Sequence, residues 1–485
     1  MSLLKTAANG MLWTTAATVV RSIASLLQVS ILTRYLSKTD FGVIAIATLF
    51  IGFSQIFMDM GISNGIMHKQ DTTPKQYSSL FWINIIMGVF LSLLVVAISP
   101  LVASAYSEPE LVKILSILGS TLFFSSLGSQ HRTVQQKKLR FKYIAINEIL
   151  TAVLTVVIAF YLAFSGFGVY SLVYSTVFQA FFSNILFLCI GLRNEKNISF
   201  HLNISEVAEY FKIGSFAIGS QILNYFAREL DVIIISSMLG KDVLGVYSLC
   251  KKLVQSVYNA VNPILMKVMT PILSQLQTEK DKIGLVFTTI VESLALTNFP
   301  IYILIAVLSK GILNYLYGFD YIDASIQLSL LAIYYGYLSI GNPIGSLQVA
   351  LGRTDLGLYW DACRLTICVV TIYLGSHFGI NYIILLLIVS SMASMPLFWR
   401  ITIKPLINIG CYKYFMIGIK PLFLTIVLAI PFFLWASVYY NISNMILVAL
   451  MFMSAYLLII YQVFKNSYMV TLGKRSINTL MHHNK

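Results

Sequence analysis

Long apolar runs follow one another along this chain, and short polar stretches separate them. About 20 apolar residues cross a hydrocarbon core about 30 Å thick, so each run is long enough for one transmembrane helix. The pattern predicts an all-α, polytopic membrane protein of about fourteen helices, or twelve if the crowded C-terminal runs merge. The predicted spans are residues 11–33, 41–65, 78–103, 111–130, 143–164, 168–190, 213–237, 243–266, 284–308, 322–350, 357–376, 380–399, 421–440 and 443–464.

One polar connector occurs twice. "LSKTDFGV" (36–43) joins the first two predicted spans, and "LGKDVLGV" (239–246) joins the seventh and eighth, with Leu, Lys, Gly and Val in identical register. Such a match can arise by chance, but its coincidence with equivalent connectors favours duplication. The glycine in this connector can allow a tight approach of backbone at the helix entry, and the lysine can anchor at the headgroup level.

The repeat predicts two six-helix bundles in the same orientation, with a substrate path where they meet and alternating access by rocking. The predicted domains are residues 1–200 and 201–402 for the two bundles, followed by residues 403–485, an extra helix pair with a tail.

Composition agrees with a membrane protein, because 58% of the 485 residues are hydrophobic and only 11% are charged. Most Lys and Arg residues fall in alternate loops such as "QHRTVQQKKLRFK" (130–142), whereas "SGFG" (165–168) and "SHFG" (376–379) carry none. Because positive loops stay in the cytoplasm, both termini are predicted to be cytoplasmic. The net charge of +14 is then a topology signal and an attraction to membrane lipids, and no nucleic acid partner is expected.

Charged residues inside the predicted spans are the candidates for function, since each costs roughly 2.5–3.5 kcal/mol at the bilayer centre and usually faces a cavity or a partner. We predict a cationic substrate-binding cavity lined by Arg21, Arg228, Lys251, Lys252 and Arg364. Uncharged polar residues predicted to line it are Gln28, Asn224, Gln255, Tyr258 and Asn262. Acidic residues that could couple transport to an ion are Asp59, Glu148, Asp231 and Glu292.

Some of these charges also have a plainer interpretation. Asp361 and Arg364, three residues apart, can form a pair that only joins helices, and so can Arg228 with Glu229 or Asp231. Arg21 has no acidic residue within one helical turn, which favours a cavity-lining position.

Two proline motifs, "VNPIL" (261–265) and "GNPIGS" (341–346), interrupt apolar segments and predict breaks that act as hinges or as static kinks.

Several kinds of chemistry have no sequence signal. The chain has no G-x-x-x-x-G-K-[ST] loop for ATP and no D-x-D pair for metal-nucleotide glycosyl transfer. Its five cysteines form no C-x-x-C pair, and the histidines are not clustered. We therefore expect no cofactor, no metal and no enzymatic activity.

Three stretches resemble a known family. "LSKTDFGVIAIATLFIGFSQIFMDMGISNGIMHK" (36–69), "FWINIIMGVFLSLL" (81–94) and "LGSQHRTVQQKKLRF" (127–141) are similar to the Wzx-like polysaccharide-exporting branch of the multidrug/oligosaccharidyl-lipid/polysaccharide (MOP) flippase superfamily. The likeness is closest to the colanic-acid and teichuronic-acid exporter types. It covers the first 200 residues well, and the second half agrees in hydropathy.

The resemblance implies a flippase of the bacterial inner membrane that moves an undecaprenyl-diphosphate-linked oligosaccharide from the cytoplasmic to the periplasmic leaflet. The product would be a surface polysaccharide such as O-antigen, capsule or exopolysaccharide. Implied partners are the lipid-linked oligosaccharide, membrane lipids, a polymerase and a chain-length regulator. The resemblance also implies basic residues on pore-facing helices, here Arg21, Arg228, Lys251 and Arg364.

Two other functions stay open at this point. A multidrug or cation antiporter of the same superfamily would favour acidic or aromatic cavity walls. A membrane-embedded polysaccharide polymerase would need a carboxylate facing an outer loop, where Glu108 and Glu110 form an early acidic pair.

Overall fold

The computed structural model describes residues 3–59, 61–69, 72–195, 199–275 and 280–463, and within these ranges it contains helices and no β-strand. The α-helices are Leu3–Leu32 (α1), Lys38–Asp59 (α2), Ile62–His68 (α3), Pro74–Ala105 (α4), Glu110–Lys137 (α5), Phe141–Phe164 (α6), Tyr170–Glu195 (α7), Ala208–Met238 (α8), Lys241–Gln275 (α9), Lys280–Val307 (α10), Ser309–Leu316 (α11), Ser325–Ser339 (α12), Pro343–Ala350 (α13), Asp355–Ser376 (α14), Ile380–Ala393 (α15), Met395–Phe398 (α16), Cys411–Val438 (α17) and Ile442–Val463 (α18).

Each of the fourteen predicted spans is mostly helical in the described residues, which confirms the all-α polytopic class. Among the described residues, eleven helices are long and apolar enough to cross a membrane, or twelve if α15 and the bent segment after it count as one span. The other two predicted spans are α8 and α9, of 31 and 35 residues. These two helices carry charges near their middle, including Arg228 and Lys251, which lowers their hydropathy.

Local sequence explains where α4 begins. The Thr73 hydroxyl accepts a hydrogen bond from the Gln76 backbone N–H, and the Gln76 side chain accepts one from the Thr73 N–H. Pro74 occupies the first turn of α4, where its missing N–H leaves no bond unmade. This reciprocal cap satisfies backbone N–H groups that would otherwise be unpaired in the first turn of α4.

Some predicted boundaries were wrong. The predicted inner loop at residues 130–142 is mostly helix, because α5 continues to Lys137 and the chain turns at Leu139, which has a φ of 56°. The second predicted span is broken at Gly61, which has a φ of 71° between α2 and α3. The break at "GNPIGS" is confirmed between α12 and α13, whereas α9 passes through "VNPIL" without interruption.

The chain divides into two compact units, residues 1–249 and 250–485. In the first unit, α5 packs against α4 and α7, α1 packs against α6, and α2 contacts α5 and α8. A small buried cluster that includes Ile62, Ile66, Leu80 and Tyr210 fixes α3 against α4 and α8. The predicted domain boundaries near residues 200 and 402 stay a prediction.

In the second unit α10 is the central helix, packed against α12 and α17, and α14 packs against α15. Its core includes the fully buried aromatic side chains of Phe287, Phe299 and Phe452. Because lipid chains are as apolar as these rings, the rings stabilise the unit by close packing between helices.

The outward faces of both units are apolar. Leu12, Leu101, Phe164 and Phe423 each expose more than two thirds of their surface. Large exposed apolar faces of this kind are unfavourable in water and suit contact with lipid chains.

Candidate functional site

The two copies of the repeated connector lie against each other. We call residues 36–43 connector 1 and residues 239–246 connector 2. A Cβ atom at Gly42 would overlap the carbonyl oxygen of Lys241, and a Cβ atom at Gly245 would overlap the carbonyl oxygen of Lys38. The contact is therefore reciprocal, and each glycine makes room for the backbone of the other copy. This explains why Gly recurs at the same position of both connectors, four residues after the Lys.

Side chains also join the connectors. The Thr39 hydroxyl donates a hydrogen bond of 2.5 Å to the Asp242 carboxylate, across 203 residues of sequence. Lys241 forms an ion pair with Glu108 in the link between α4 and α5. Glu108 thus has a structural partner, and nothing else about it indicates the carboxylate of a polymerase.

Three charged side chains from three helices meet in the first unit. Arg21 Nη1 of α1 lies 3.3 Å from Glu148 Oε2 of α6, and Arg132 Nη2 of α5 donates a 2.6 Å hydrogen bond to Glu148 Oε1. Glu148 exposes only 14% of its side chain, whereas Arg21 exposes 46% and Arg132 exposes 51%. We call these three residues the arginine–glutamate cluster. One carboxylate holds two guanidinium groups, so the cluster keeps an excess positive charge on its accessible side.

Sequence reasoning found two members of this cluster and missed the third. Arg21 has an acidic partner after all, but the partner lies on another helix rather than within one turn. The sequence pattern predicts Arg132 in a loop, because the predicted span ends at residue 130 and the charged loop 130–142 follows it. Its contact with Glu148 spans 16 residues and two helices, so no helical period could show it.

Two other predicted acidic residues have local hydrogen-bond donors. Asp59 accepts bonds from the Ser63 hydroxyl at 2.5 Å and from the Ser63 N–H at 3.3 Å, which joins the end of α2 to α3. The buried carboxylate of Asp231 accepts from the Tyr247 hydroxyl and from the N–H of Val232. A role for either residue in ion coupling stays a prediction.

The five predicted basic residues are divided between the two units. Arg21 and the exposed Arg228 belong to the first unit, and the buried Lys251 belongs to the second. In the second unit Lys252 is half-buried, and Arg364 is hydrogen-bonded to Tyr334. A single cavity lined by all five residues therefore stays a prediction.

Two further charged contacts lie in the second unit. Asp361 is within electrostatic reach of Arg364, as their spacing predicted. Glu292 of α10 is within electrostatic reach of Lys420 of α17.

The predicted polar residues also fall into both units. In the first, Gln28 donates a 3.1 Å hydrogen bond to Ser175 of α7, and Asn224 is half-buried. In the second, Gln255 donates a 2.9 Å bond to the Tyr335 hydroxyl, and Tyr258 donates one to Asn342.

These contacts belong to a larger uncharged group in the second unit. We call it the tyrosine–amide cluster, and its members are Gln255, Tyr258, Asn298, Tyr302, Tyr335 and Asn342. Asn262 links it together, because it accepts a bond from Asn298 at 3.1 Å and donates one to the Tyr258 carbonyl at 3.2 Å. The sequence predicted Gln255 and Tyr258 among the six members and also the linking Asn262, and its GNPIGS motif contains Asn342. The members on α10 and α12 have no signal in the sequence, because spacing along one helix does not show which helices adjoin it.

Metal chemistry has no candidate residues in the part of the chain that the structure describes. No group of three or more His, Cys, Asp or Glu side chains there is arranged to hold a metal ion.

Comparison with known sequences gives the family. Residues 31–326 match the family of polysaccharide biosynthesis proteins. The chain is 28% identical over 436 residues to the teichuronic acid biosynthesis protein TuaB of Bacillus subtilis, covering 88% of this chain and 89% of TuaB. It is 24% identical over 437 residues to the lipopolysaccharide biosynthesis protein WzxC of Escherichia coli, covering 88% and 87%.

Solved structures agree on the fold. The lipid II flippase MurJ in an inward closed conformation has a TM-score of 0.73 at 14% identity, covering 93% of this chain and 99% of MurJ. An inward-facing multidrug resistance transporter of the MOP superfamily has a TM-score of 0.63 at 13% identity, covering 78% and 93%. This chain, whose described helices are those of a multi-pass membrane protein, therefore belongs to the family of polysaccharide biosynthesis proteins.

Proposed function

We propose that this protein is a flippase that moves an undecaprenyl-diphosphate-linked oligosaccharide from the cytoplasmic to the periplasmic leaflet. The observation that carries the proposal is the arginine–glutamate cluster among otherwise apolar helices. TuaB and WzxC are named for teichuronic acid and lipopolysaccharide biosynthesis, and MurJ is named as a lipid II flippase, which supports a lipid-linked substrate here.

The cluster suits a diphosphate for electrostatic reasons. A diphosphate loses its hydration when it leaves water, and it does not cross hydrocarbon unaided. Planar guanidinium groups replace that hydration with paired, charge-assisted hydrogen bonds. Glu148 orients Arg21 and Arg132 without neutralising both of them, so an incoming anion meets two fixed donors.

The acidic residues support an anionic substrate over a cationic one. Glu148 faces two arginines, Asp59 accepts from Ser63, and Asp231 accepts from Tyr247. A cation carrier needs carboxylates that can bind its substrate, whereas these three are already engaged by donors. The antiporter alternative is therefore less well supported than the flippase.

Three finer points belong to the same proposal. Both termini lie in the cytoplasm, because loops rich in Lys and Arg stay on the cytoplasmic side and this orientation puts most of those loops there. The two six-helix bundles rock about the substrate path, and the helix pair α17–α18 is additional to them. A polymerase and a chain-length regulator act on the translocated substrate, and the flippase itself catalyses no covalent step.

The test uses a strain in which the gene is deleted and replaced by variants. Replacing both Arg21 and Arg132 by Ala should abolish polymer export, and lipid-linked repeat units should accumulate at the inner leaflet. Membrane insertion should be unchanged.

The matched control is Arg353→Ala, which removes a guanidinium that pairs with Asp355 at 2.9 Å, just before α14. Normal export in the double variant would refute the role of the cluster. Failure of the deletion strain to assemble lipid-linked units would instead indicate an enzyme of their synthesis.

A further inference from the structure

The tyrosine–amide cluster lies where a helix of the second unit is broken. Helix α12 ends at Ser339, α13 begins at Pro343, and Ile340 and Gly341 between them form turns. Inside a membrane, non-helical backbone is tolerated where it is buried in protein or lines a water-filled cavity. Broken helices in transporters also commonly mark the place where a substrate binds. Asn342, at the start of α13, brings an amide to this break.

Two aromatic rings pack edge to face near the break. The rings of Tyr258 and Tyr335 are 6.1 Å apart and nearly perpendicular, at 84°. Tyr258, Tyr335, Gln255 and Asn342 are all half-buried, so each keeps part of its surface accessible. A tyrosine offers a ring face to C–H groups and a hydroxyl to hydrogen bonds, and each amide offers both donors and acceptors.

Deeper in the cluster, two buried polar atoms have no hydrogen-bond partner among the described residues. They are Asn298 Oδ1 and the Tyr302 hydroxyl, on side chains that are each 1% exposed. Such an atom costs about 1–3 kcal/mol unless a ligand or water supplies a partner. Tyr302 lies within electrostatic reach of Tyr258 and Tyr335, so these atoms belong to the same group.

We propose that the tyrosine–amide cluster binds the sugar portion of the substrate, an inference that rests on the proposed flippase function. The six members are all uncharged, which favours a neutral polar ligand over a diphosphate or a metal ion. The half-buried edge of the cluster carries two amide groups and two tyrosine hydroxyls. Each of these groups can both donate and accept hydrogen bonds, and a hydrocarbon tail can do neither. A sugar has apolar C–H faces and hydroxyl groups in alternation, and both find partners here.

The test compares binding of two lipids to the purified full-length protein in nanodiscs. One lipid is the oligosaccharide-bearing undecaprenyl diphosphate extracted from a deletion strain, and the other is undecaprenyl diphosphate without sugar. Tyr335→Phe and Gln255→Leu should each weaken binding of the sugar-bearing lipid by about fivefold to tenfold, as expected for one lost hydrogen bond. Binding of the sugar-free lipid should not change.

Tyr337→Phe is the matched control, because it removes a hydroxyl from the same helix that bonds instead to the Ser391 carbonyl at 3.3 Å. It should leave both affinities as in the parent protein. Equal losses for the two lipids, or no loss in either cluster variant, would overturn the inference.

Failure of the flippase function gives a different result, since the parent protein would then bind neither lipid. In that event the oligosaccharide released from the lipid by mild acid serves as the probe. Binding of this free oligosaccharide by the parent protein, weakened in Tyr335→Phe, would support the sugar site, and absence of binding would overturn it.

Discussion

The helix pairs α1–α2 and α8–α9 are joined by similar connectors, but their helices carry different polar side chains. Their connectors are alike in register, and each glycine admits the backbone of the other copy. On the helices, by contrast, Arg21 of α1 joins a charged cluster, whereas α9 supplies Gln255 and Tyr258 to an uncharged one.

This difference teaches which property each part of the repeat maintains. The connector keeps its residues because they allow two backbones to approach, a requirement that both copies share. The helices are free of that requirement, so their polar groups can differ between the copies. Both copies still carry basic residues, Arg21 on α1 and Arg228 and Lys251 on α8 and α9.

Locking the shared part should have the largest effect. In a Thr39→Cys, Asp242→Cys double variant, the two thiols replace side chains that are in hydrogen-bond contact, so oxidation should form a disulfide. If the substrate path opens by separation of the connectors, export should stop completely on oxidation and return with reductant.

The two single-cysteine variants are the controls for this experiment, since the chain also has five native cysteines. A fully cross-linked protein that exports at the normal rate would show that the connectors stay together during transport.

Substitutions at matched positions of α1 and α8 should have different effects on anion binding. Arg21→Ala removes a charged hydrogen-bond donor, a loss of about 2 kcal/mol or about thirtyfold in affinity for the diphosphate. Asn224 occupies the position 203 residues later and is uncharged, so Asn224→Ala should cost about fivefold or less. Affinity for undecaprenyl diphosphate, measured in nanodiscs, checks both values. Equal losses would mean that the two halves contribute alike to anion binding.

Adding a methyl group to either glycine should show the likeness of the connectors. Gly42→Ala and Gly245→Ala each force a Cβ atom against a carbonyl oxygen, and we expect each to cost about 2–3 kcal/mol, because a backbone oxygen cannot turn aside as a flexible side chain does. Thermal unfolding in detergent should show similar decreases of the midpoint temperature in both variants.

Gly219→Ala is the control, because a Cβ atom there meets no atom within 4 Å. A decrease in only one of the two connector variants would mean that the reciprocal contact is not equally tight on both sides.

The sequence predicted the helices well because a bilayer demands long apolar runs, and each of the fourteen is mostly helical in the described residues. It failed at ends where charge continues inside a helix, as at Arg132 near the end of α5. The periodicity of one helix identified Arg21, Gln255 and Tyr258 as polar positions. It could not identify Tyr335 as a neighbour, since that contact depends on how separate helices pack.

The same limit applies to the repeated connector. Its recurrence indicated duplication, but the contact between Gly42 and Gly245 and the opposite backbones follows only from the folded chain. Conversely, the structure gives the repeated Lys and Gly a physical reason that the sequence comparison lacked.

The smallest effect is expected for the hydrogen bond between the connectors. Thr39→Val removes the donor to Asp242 but keeps the shape of the side chain, and the bond is exposed to solvent. An exposed neutral donor contributes about 0.5 kcal/mol or less, so export should fall by no more than about twofold. Thr39→Ser, which keeps the hydroxyl, should match the parent protein. If Thr39→Val instead impaired export as strongly as Gly42→Ala, the side-chain bond rather than the backbone contact would hold the two connectors together.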